Sequence, residues 1–388
     1  MDTMNRRSLL KVSALFGAGA LASTGGGASA ADAPAAATRY GPPSATGAVA
    51  DVYQKARQAL YPVCRVCPQC DGVACAGEFP GIGGLGSGMS FQNNFRGLQA
   101  VHLRLRPLNG DNKPDTATTL FGQKLSFPAL AAPFGGLGTN FPGLHDMTEG
   151  EYFDAIVGGC ADAGTMGAVG DLQSEPWELT KARYDIVARH GGRSIAGIKP
   201  RRNENLIRVI RLAEAAKAFM ITVDIDSAGR GWMDSGSDSA VEPKTVAQIR
   251  EIVHATRIPV VIKGIMTPED AVLAGEAGAA GVCVSNHGGR VLDHTPSTAQ
   301  ALPAIADAVK GKMVILVDGC VHYGDDVLKY VALGADAVLV GRHLWRAAHG
   351  GGRAGVALFM NTMREELTAA MVLTAAPNIA GIHRGILA

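Results

Sequence analysis

Little of this sequence is charged. Asp, Glu, Lys and Arg make up 18% of it, and 36 basic against 35 acidic residues leave a formal net charge of +1. Bulk charge therefore offers nothing to a polyanion, and no nucleic acid partner is expected. Long hydrophobic runs are lacking at the start of the chain, where a weakly apolar Ala/Gly-rich stretch from Val12 to Ala22 is too short to span a bilayer comfortably. The glycine-rich segment Pro80-Gly81-Ile82-Gly83-Gly84-Leu85-Gly86-Ser87-Gly88 lacks the closing Gly-Lys-Ser/Thr of a Walker loop, which removes that phosphate-binding motif. The apolar runs beyond Pro128 lack period-2 alternation, as expected of parallel strands covered on both faces.

What is present first is an address. Asn5-Arg6-Arg7-Ser8-Leu9-Leu10-Lys11 has the form of a twin-arginine signal, followed by the short apolar stretch and by small residues ending near Ala28-Ser29-Ala30. Residues 1–31 are read as this signal, which predicts export to the periplasm or the exterior. A basic tail or an uncleaved anchor is the alternative. Residues 32–125 read as an Ala/Pro/Gly-rich lead-in and a Cys/Gly-rich extension packed across one barrel mouth, and 126–388 as the main domain.

In that domain one rhythm repeats. Apolar runs at Pro128–Pro133, Thr165–Val169, Ser194–Ile198, Phe219–Asp224, Ile258–Lys263, Ala280–Ser285, Met313–Asp318 and Ala337–Gly341 alternate with helical stretches. Glu204–Ala216 carries a single broad apolar stripe, and Glu242–His254, Thr298–Val309 and Asp325–Leu333 follow the same pattern. Thr267-Pro268-Glu269-Asp270 is a helix start, with a threonine cap, proline in the first turn and acids at the positive end of the dipole. Val356–Thr374 reads as one more amphipathic helix. Eight strand–helix units predict an α/β fold, a (β/α)8 TIM barrel with an N-terminal extension. The abundance of glycine, 50 residues, suits its many tight turns. An open sheet is the alternative.

Barrel chemistry sits where strands end. His287 follows a strand, precedes two glycines and suits proton abstraction near neutral pH, although a loop histidine reads equally well in isolation. Arg290 has the planar fork for a carboxylate, or pairs with Asp293 at the surface. Asp224 ends the fourth run and is expected to orient His287, or serves as a cap. Lys263 ends the fifth, where its cation would stabilise a reduced cofactor ring or simply reach solvent. Asp318-Gly319 and Gly341-Arg342 end the last two runs, where such barrels bind phosphate through backbone N–H groups.

Ile262-Lys263-Gly264-Ile265, Ser285-Asn286-His287-Gly288-Gly289-Arg290-Val291-Leu292-Asp293, Leu316-Val317-Asp318-Gly319 and Leu333–Arg342 together resemble the FMN-dependent α-hydroxy acid dehydrogenase/oxidase family. The resemblance is strong from about Thr222 to Arg342, weaker from Pro128 to Ile198, and absent before about Asp115. It implies His287 as the base paired with Asp224, Arg290 on the substrate carboxylate and Arg230 as a second substrate arginine. Lys263 would face the flavin N1/O2 edge, with Thr222 near the ring. Asp318 would bind the ribityl chain, with Gly319, Gly341 and Arg342 on the phosphate. Ala132, Pro133 and Gly135 fall on the segment that passes flavin N5. The family's glutamine and tyrosine on the third strand become Ala196 and Ile198, with Lys199 adjacent. A family serine is replaced around Gly170-Asp171. The second glycine and the arginine of the family's Asp-Gly-Gly motif become Cys320 and His322, and the N-terminal substrate tyrosine has no match.

The expected activity is FMN-dependent oxidation of a small 2-hydroxy acid or related hydroxy compound, with oxygen or a respiratory carrier as final acceptor and a homo-oligomer as the assembly. An FMN-dependent isomerase on the same barrel and a non-enzymatic exported binding protein are the alternatives. Cys64, Cys67, Cys70 and Cys75 follow a C-x2-C-x2-C-x4-C spacing open to an iron–sulfur cluster, zinc or two disulfides. Cys160, Cys283 and Cys320 read as small buried hydrophobes. The glycine-rich segment after the cluster reads as a flexible loop, or as a cover on the barrel mouth.

Overall fold

A computed structural model describes residues 47–78, 82–110, 113–137, 141, 143–144, 146–171, 176–233 and 240–388. The predicted signal and the first part of the lead-in lie outside the described residues. The extension contributes helices α1 (Ala48–Leu60) and α2 (Met89–Gln99), then the antiparallel hairpin β1 (Thr118–Leu120) and β2 (Gln123–Leu125).

All eight predicted strands form. They are β3 (Ala129–Ala131), β4 (Gly167–Val169), β5 (Ser194–Ile198), β6 (Met220–Asp224), β7 (Val260–Ile265), β8 (Gly281–Val284), β9 (Val314–Val317) and β10 (Ala337–Val340). Their order is β3-β10-β9-β8-β7-β6-β5-β4, with every pairing parallel. Between the two ends of that order the Ala131 N–H donates to the Met166 carbonyl at 3.0 Å, which brings the sheet round into a barrel. Every residue of β5 and β6 is buried, the physical reason their sequences do not alternate.

The intervening helices are α3 (Glu149–Asp162), α4 (Trp177–Arg189), α5 (Asn203–Ala215), α6 (Val246–His254), α7 (Pro268–Glu276), α8 (Thr298–Val309), α9 (Gly324–Leu333) and α10 (Arg342–Thr374). Thr267 caps α7 by accepting the Asp270 N–H, as its sequence predicts. α6 starts later than the expected Glu242. Thr245 and Gln248 form a capping box that sets its first turn, a device worth about 1 kcal/mol. α10 begins well before the expected Val356 and runs from the end of β10, broken only by Gly352 at φ 56°. No helix among the described residues is long and apolar enough to cross a membrane.

α1 packs along α10, and glycine makes the contact possible. A Cβ at Gly350 would lie 2.0 Å from the Val52 carbonyl oxygen, whereas one at Gly351 would first meet the Val52 side chain at 3.3 Å. Gly350→Ala is therefore expected to lower stability by about 1–3 kcal/mol, while Gly351→Ala stays near neutral. Paired thermal melts check this; equal melting temperatures would show that α1 does not need the close approach.

Candidate active site

The strand ends surround a cavity whose wall includes Ala132, Pro133, Lys263, His287, Arg290, Asp318, Gly319, Gly341 and Arg342. These nine were expected together, and the barrel gathers them from five strand ends. Thr222, Asp224 and Gly135 are not on that wall. Thr222 is fully buried in β6, and a side chain at Gly135 would collide with the Gly170 carbonyl. The side chain of Arg230 lies outside the described residues.

His287 opens a 3₁₀ turn, His287–Gly289, directly after Ser285-Asn286. Its φ is 56°, in the left-handed region that favours glycine, and such strain is kept at functional positions. Its Nδ1–H donates to the carboxylate of Asp226, with both oxygens at 3.1 Å. The expected partner, Asp224, is engaged elsewhere: Lys199, at the end of neighbouring β5, donates from Nζ to Asp224 Oδ2 at 3.0 Å and to Ser227 Oγ at 3.0 Å. Asp226 comes from the 3₁₀ segment Ile225–Met233 that follows β6. It packs on Gly264 at φ 99°, where a Cβ would lie 2.5 Å from the Asp226 Cβ. The assignment of Asp224 as the histidine's partner is thus corrected by two residues.

Burial, and then the cations Lys263 and Lys199, push His287 well below the usual histidine range, so the imidazole is neutral. For Asp224 burial works upward, but Lys199 and Lys263 outweigh it and hold the carboxyl below its usual range. Burial likewise opposes the Lys263 charge, yet Asp318, Asp224 and Asp226 more than compensate and keep the ammonium protonated.

Ser285 ties three of these groups together. Its Oγ accepts from Lys263 Nζ at 3.0 Å and from the His287 backbone N–H at 3.0 Å, and donates to Asp318 Oδ2 at 2.8 Å. Arg290 stands over the Phe134 ring at 5.6 Å. Arg342 donates to the carbonyls of Ile82 and Gly288, both at 2.9 Å, and covers the Phe91 ring at 4.0 Å. Gly319 is required as glycine: at φ 114°, a Cβ would meet Thr298 Oγ1 at 2.4 Å.

The extension holds the histidine loop from outside. The Leu85 N–H donates to the Gly289 carbonyl at 2.8 Å, so the glycine-rich segment does lie against the mouth. Asn94 of α2 and Asn286 exchange side-chain hydrogen bonds at 2.7 and 3.1 Å, both buried. Asp293 accepts from Ser87 and Ser90 rather than pairing with Arg290. Asp226, Ser285 and Asn94 carry parts of the site that sequence reasoning did not assign. Ser285 stood inside a quoted motif and Asp226 two residues beyond a quoted strand, but nothing in a linear pattern marks Asn94. His322, in place of a family arginine, stacks on His343 at 3.7 Å, and Tyr53 hydrogen-bonds His343 Nδ1 at 2.8 Å. Burial pushes His322 down to about 3.

All seven cysteines are free thiols, so the two-disulfide reading of the clustered four is not met. Among the described residues no group of three or more Cys, His, Asp or Glu side chains is placed to hold a metal ion, so neither the iron–sulfur nor the zinc reading of the segment gains support. Burial raises the Cys67 thiol and lifts Cys75 to about 12.

A family described as FMN-dependent dehydrogenase matches residues 82–245 and 230–388. The likeness therefore begins in the glycine-rich segment, well before the Asp115 limit read from sequence. An L-lactate dehydrogenase of Yersinia pestis (strain Pestoides F) is 47% identical over 158 residues, and the chain spans 41% of the length of such curated relatives. A crystal structure of mandelate oxidase with (S)-2-phenylpropionate superposes with a TM-score of 0.69 at 28% identity, covering 89% of this chain and 98% of that one. A mandelate oxidase variant with a C4a-OH-FMN adduct gives 0.67 at 28% identity, covering 86% and 97%. Matched through both the strands and the mouth loops they carry, this chain belongs to the FMN-dependent dehydrogenase family.

Proposed function

We propose that this protein oxidises a small 2-hydroxy acid, or a closely related hydroxy compound, to its 2-oxo product with FMN. One observation carries the reading: a buried, neutral His287 has Nδ1 committed to Asp226, which leaves Nε2 for a substrate in the cavity shared with the Arg290 and Lys263 cations. The residues fit the cofactor. Asp318 keeps a buried Oδ1 with no partner, suited to a ribityl hydroxyl, and Thr222 has an unpartnered buried Oγ1 close to the same strand ends. Gly319 and Gly341 offer bare backbone beside the Arg342 charge for the phosphate. Ala132 and Pro133 form the wall towards the ring, with Gly135 keeping that segment against Gly170.

FMN, when bound, supplies the two-electron acceptor. Arg290, assisted by Arg230, grips the substrate carboxylate through paired N–H donors. His287 takes a proton at Nε2, and the Asp226 carboxylate fixes the tautomer and offsets the positive charge that forms. Lys263 answers negative charge arising on the cofactor side. Ala196 and Ile198 are wholly buried and apolar, so no side-chain hydrogen bond from β5 meets the substrate hydroxyl. Final electrons pass to oxygen or a respiratory carrier, the protein works as a homo-oligomer, and the twin-arginine segment directs it to the periplasm or exterior. N-terminal sequencing of the exported protein checks the last point; an intact residue 1 after export would overturn cleavage.

The direct test is anaerobic titration of the purified flavoprotein with lactate, mandelate, glycolate and longer 2-hydroxy acids. Bleaching of the flavin by at least one is expected, and none bleaching it would end the substrate reading. The pH dependence has a definite sign. Because His287 is held neutral, kcat/KM should stay level as pH falls from 8 past ~6.5, the ordinary histidine value, and decline only in more acid solution. A tenfold loss per unit beginning near pH 7 would contradict the neutral buried base.

A further inference from the structure

We propose, on the basis of that oxidase reading, that Lys199 is a positioning residue: through the hydroxyl of Ser227 it holds the Asp226 carboxylate on His287. Sheet register puts Lys199 in reach. Ile198 of β5 stands beside Val223 of β6, so the next residue along comes level with Asp224. The Lys199 side chain is 20% exposed, and its ammonium donates to Asp224 Oδ2 and to Ser227 Oγ, both at 3.0 Å. Ser227 is buried, and it bonds the carboxylate of its neighbour Asp226 through both its hydroxyl and its backbone N–H. A hydroxyl has one proton to give and lone pairs to accept with, so Ser227 can serve both partners at once. One directed chain results, from the Lys199 ammonium through Ser227 to Asp226 and on to His287 Nδ1 at 3.1 Å.

Two features separate this from an ion pair that only neutralises Asp224. Lys199 is itself fixed from the far side. Its backbone N–H donates to Asp171 Oδ2 at 3.0 Å, and Arg201 Nη2 grips Asp171 at 2.6 Å. The end of β5 is thus pinned to the residues after β4 while its ammonium reaches towards β6. The bond to Ser227, in turn, does nothing for Asp224; it acts on the turn that carries Asp226. An ammonium donating to a hydroxyl polarises it and strengthens the bond that hydroxyl gives. Asp226 needs this support, because burial raises its carboxyl above the usual range against the pull of Lys263, Lys199 and the two Ser227 bonds. Around the imidazole stand Lys263 of β7, with Asp318 behind it at 3.5 Å, Asp224 at the end of β6, Arg290 on the histidine's own loop, and Lys199. Removing one cation from that set favours the protonated ring and the neutral carboxyl alike. Both effects move the loss of activity to higher pH.

The test compares FMN-loaded wild-type protein with Lys199→Met, Ser227→Ala and the double variant Lys199→Met/Asp224→Asn. Lys199→Met should lower kcat about tenfold or more while KM changes less than about threefold, since Arg290 is untouched. Its acid limb of kcat/KM should move up by about one pH unit. Ser227→Ala keeps the ion pair and should lower kcat about fivefold. The double variant leaves no lone buried carboxylate, so a folding defect of the single variant is not mistaken for the effect; its kcat should stay about tenfold down or lower. Full recovery there would reduce Lys199 to a counter-ion for Asp224 and overturn the proposal. Nitrogen NMR of histidine-labelled, FMN-loaded protein, with His287 assigned by its loss in His287→Asn, reads the ring without turnover. The proton should sit on Nδ1 in the wild type and be shared between both nitrogens in Lys199→Met; an unchanged ring signal also overturns the positioning role. If no 2-hydroxy acid bleaches the wild-type flavin, the oxidase reading fails instead, and the nitrogen signal still decides the part played by Lys199.

Discussion

Replacing His287 with alanine is expected to slow substrate reduction of the flavin by about 10²–10⁴-fold, the range for removal of a positioned general base. FMN content should remain, because the groups assigned to the phosphate and the ribityl chain sit on β9, β10 and their loops and not on this imidazole. His287 occupies the left-handed region, where alanine is strained, so His287→Asn is the better-folded companion; asparagine tolerates that conformation. Stopped-flow reduction of both variants, read beside the flavin absorbance of the resting protein, separates lost chemistry from lost cofactor. Full-speed reduction in either variant, with FMN bound, would remove His287 from the mechanism.

The second large effect distinguishes two neighbouring aspartates. Asp226→Asn should lower kcat by about 10²-fold or more, since an amide in place of the carboxylate permits the wrong imidazole tautomer and gives no compensation to the protonated ring. Asp224→Asn should cost less than tenfold in kcat. It loosens Lys199 and Ser227, one step removed from the imidazole. Gly264→Ala should reproduce much of the Asp226 loss without touching either charge, because the new methyl group would occupy the space of the Asp226 side chain. Steady-state kinetics on the three variants decide the matter. A larger fall for Asp224→Asn than for Asp226→Asn would return the histidine's partner to the end of β6.

These aspartates also mark where linear pattern loses its hold. Asp224 looked like the partner because it ends a strand, and strand ends aim side chains at the mouth. That rule is correct for Lys263 and Asp318. It misleads at β6 because the adjacent strand ends in Lys199, whose ammonium captures Asp224 first. Only the sheet order makes β5 and β6 neighbours, and only the turn after β6 carries Asp226 back over Gly264. The cysteine segment carries the same lesson. Its spacing left three occupants open, and the residue whose guanidinium reaches Cys70, Arg346, lies far along the chain on α10.

By itself the sequence determined the eight covered strands, most of the helix starts and the set of groups at the mouth. Each of these rests on short-range physics: apolar runs buried on both faces, caps three residues from their partners, and a glycine-flanked histidine immediately after a strand. The tertiary structure alone decided which carboxylate holds the imidazole, that Asn94 of the extension clamps Asn286, and that a buried guanidinium faces the cysteines. Those are contacts between residues remote in sequence, and their energies depend on who reaches whom first in a closed barrel.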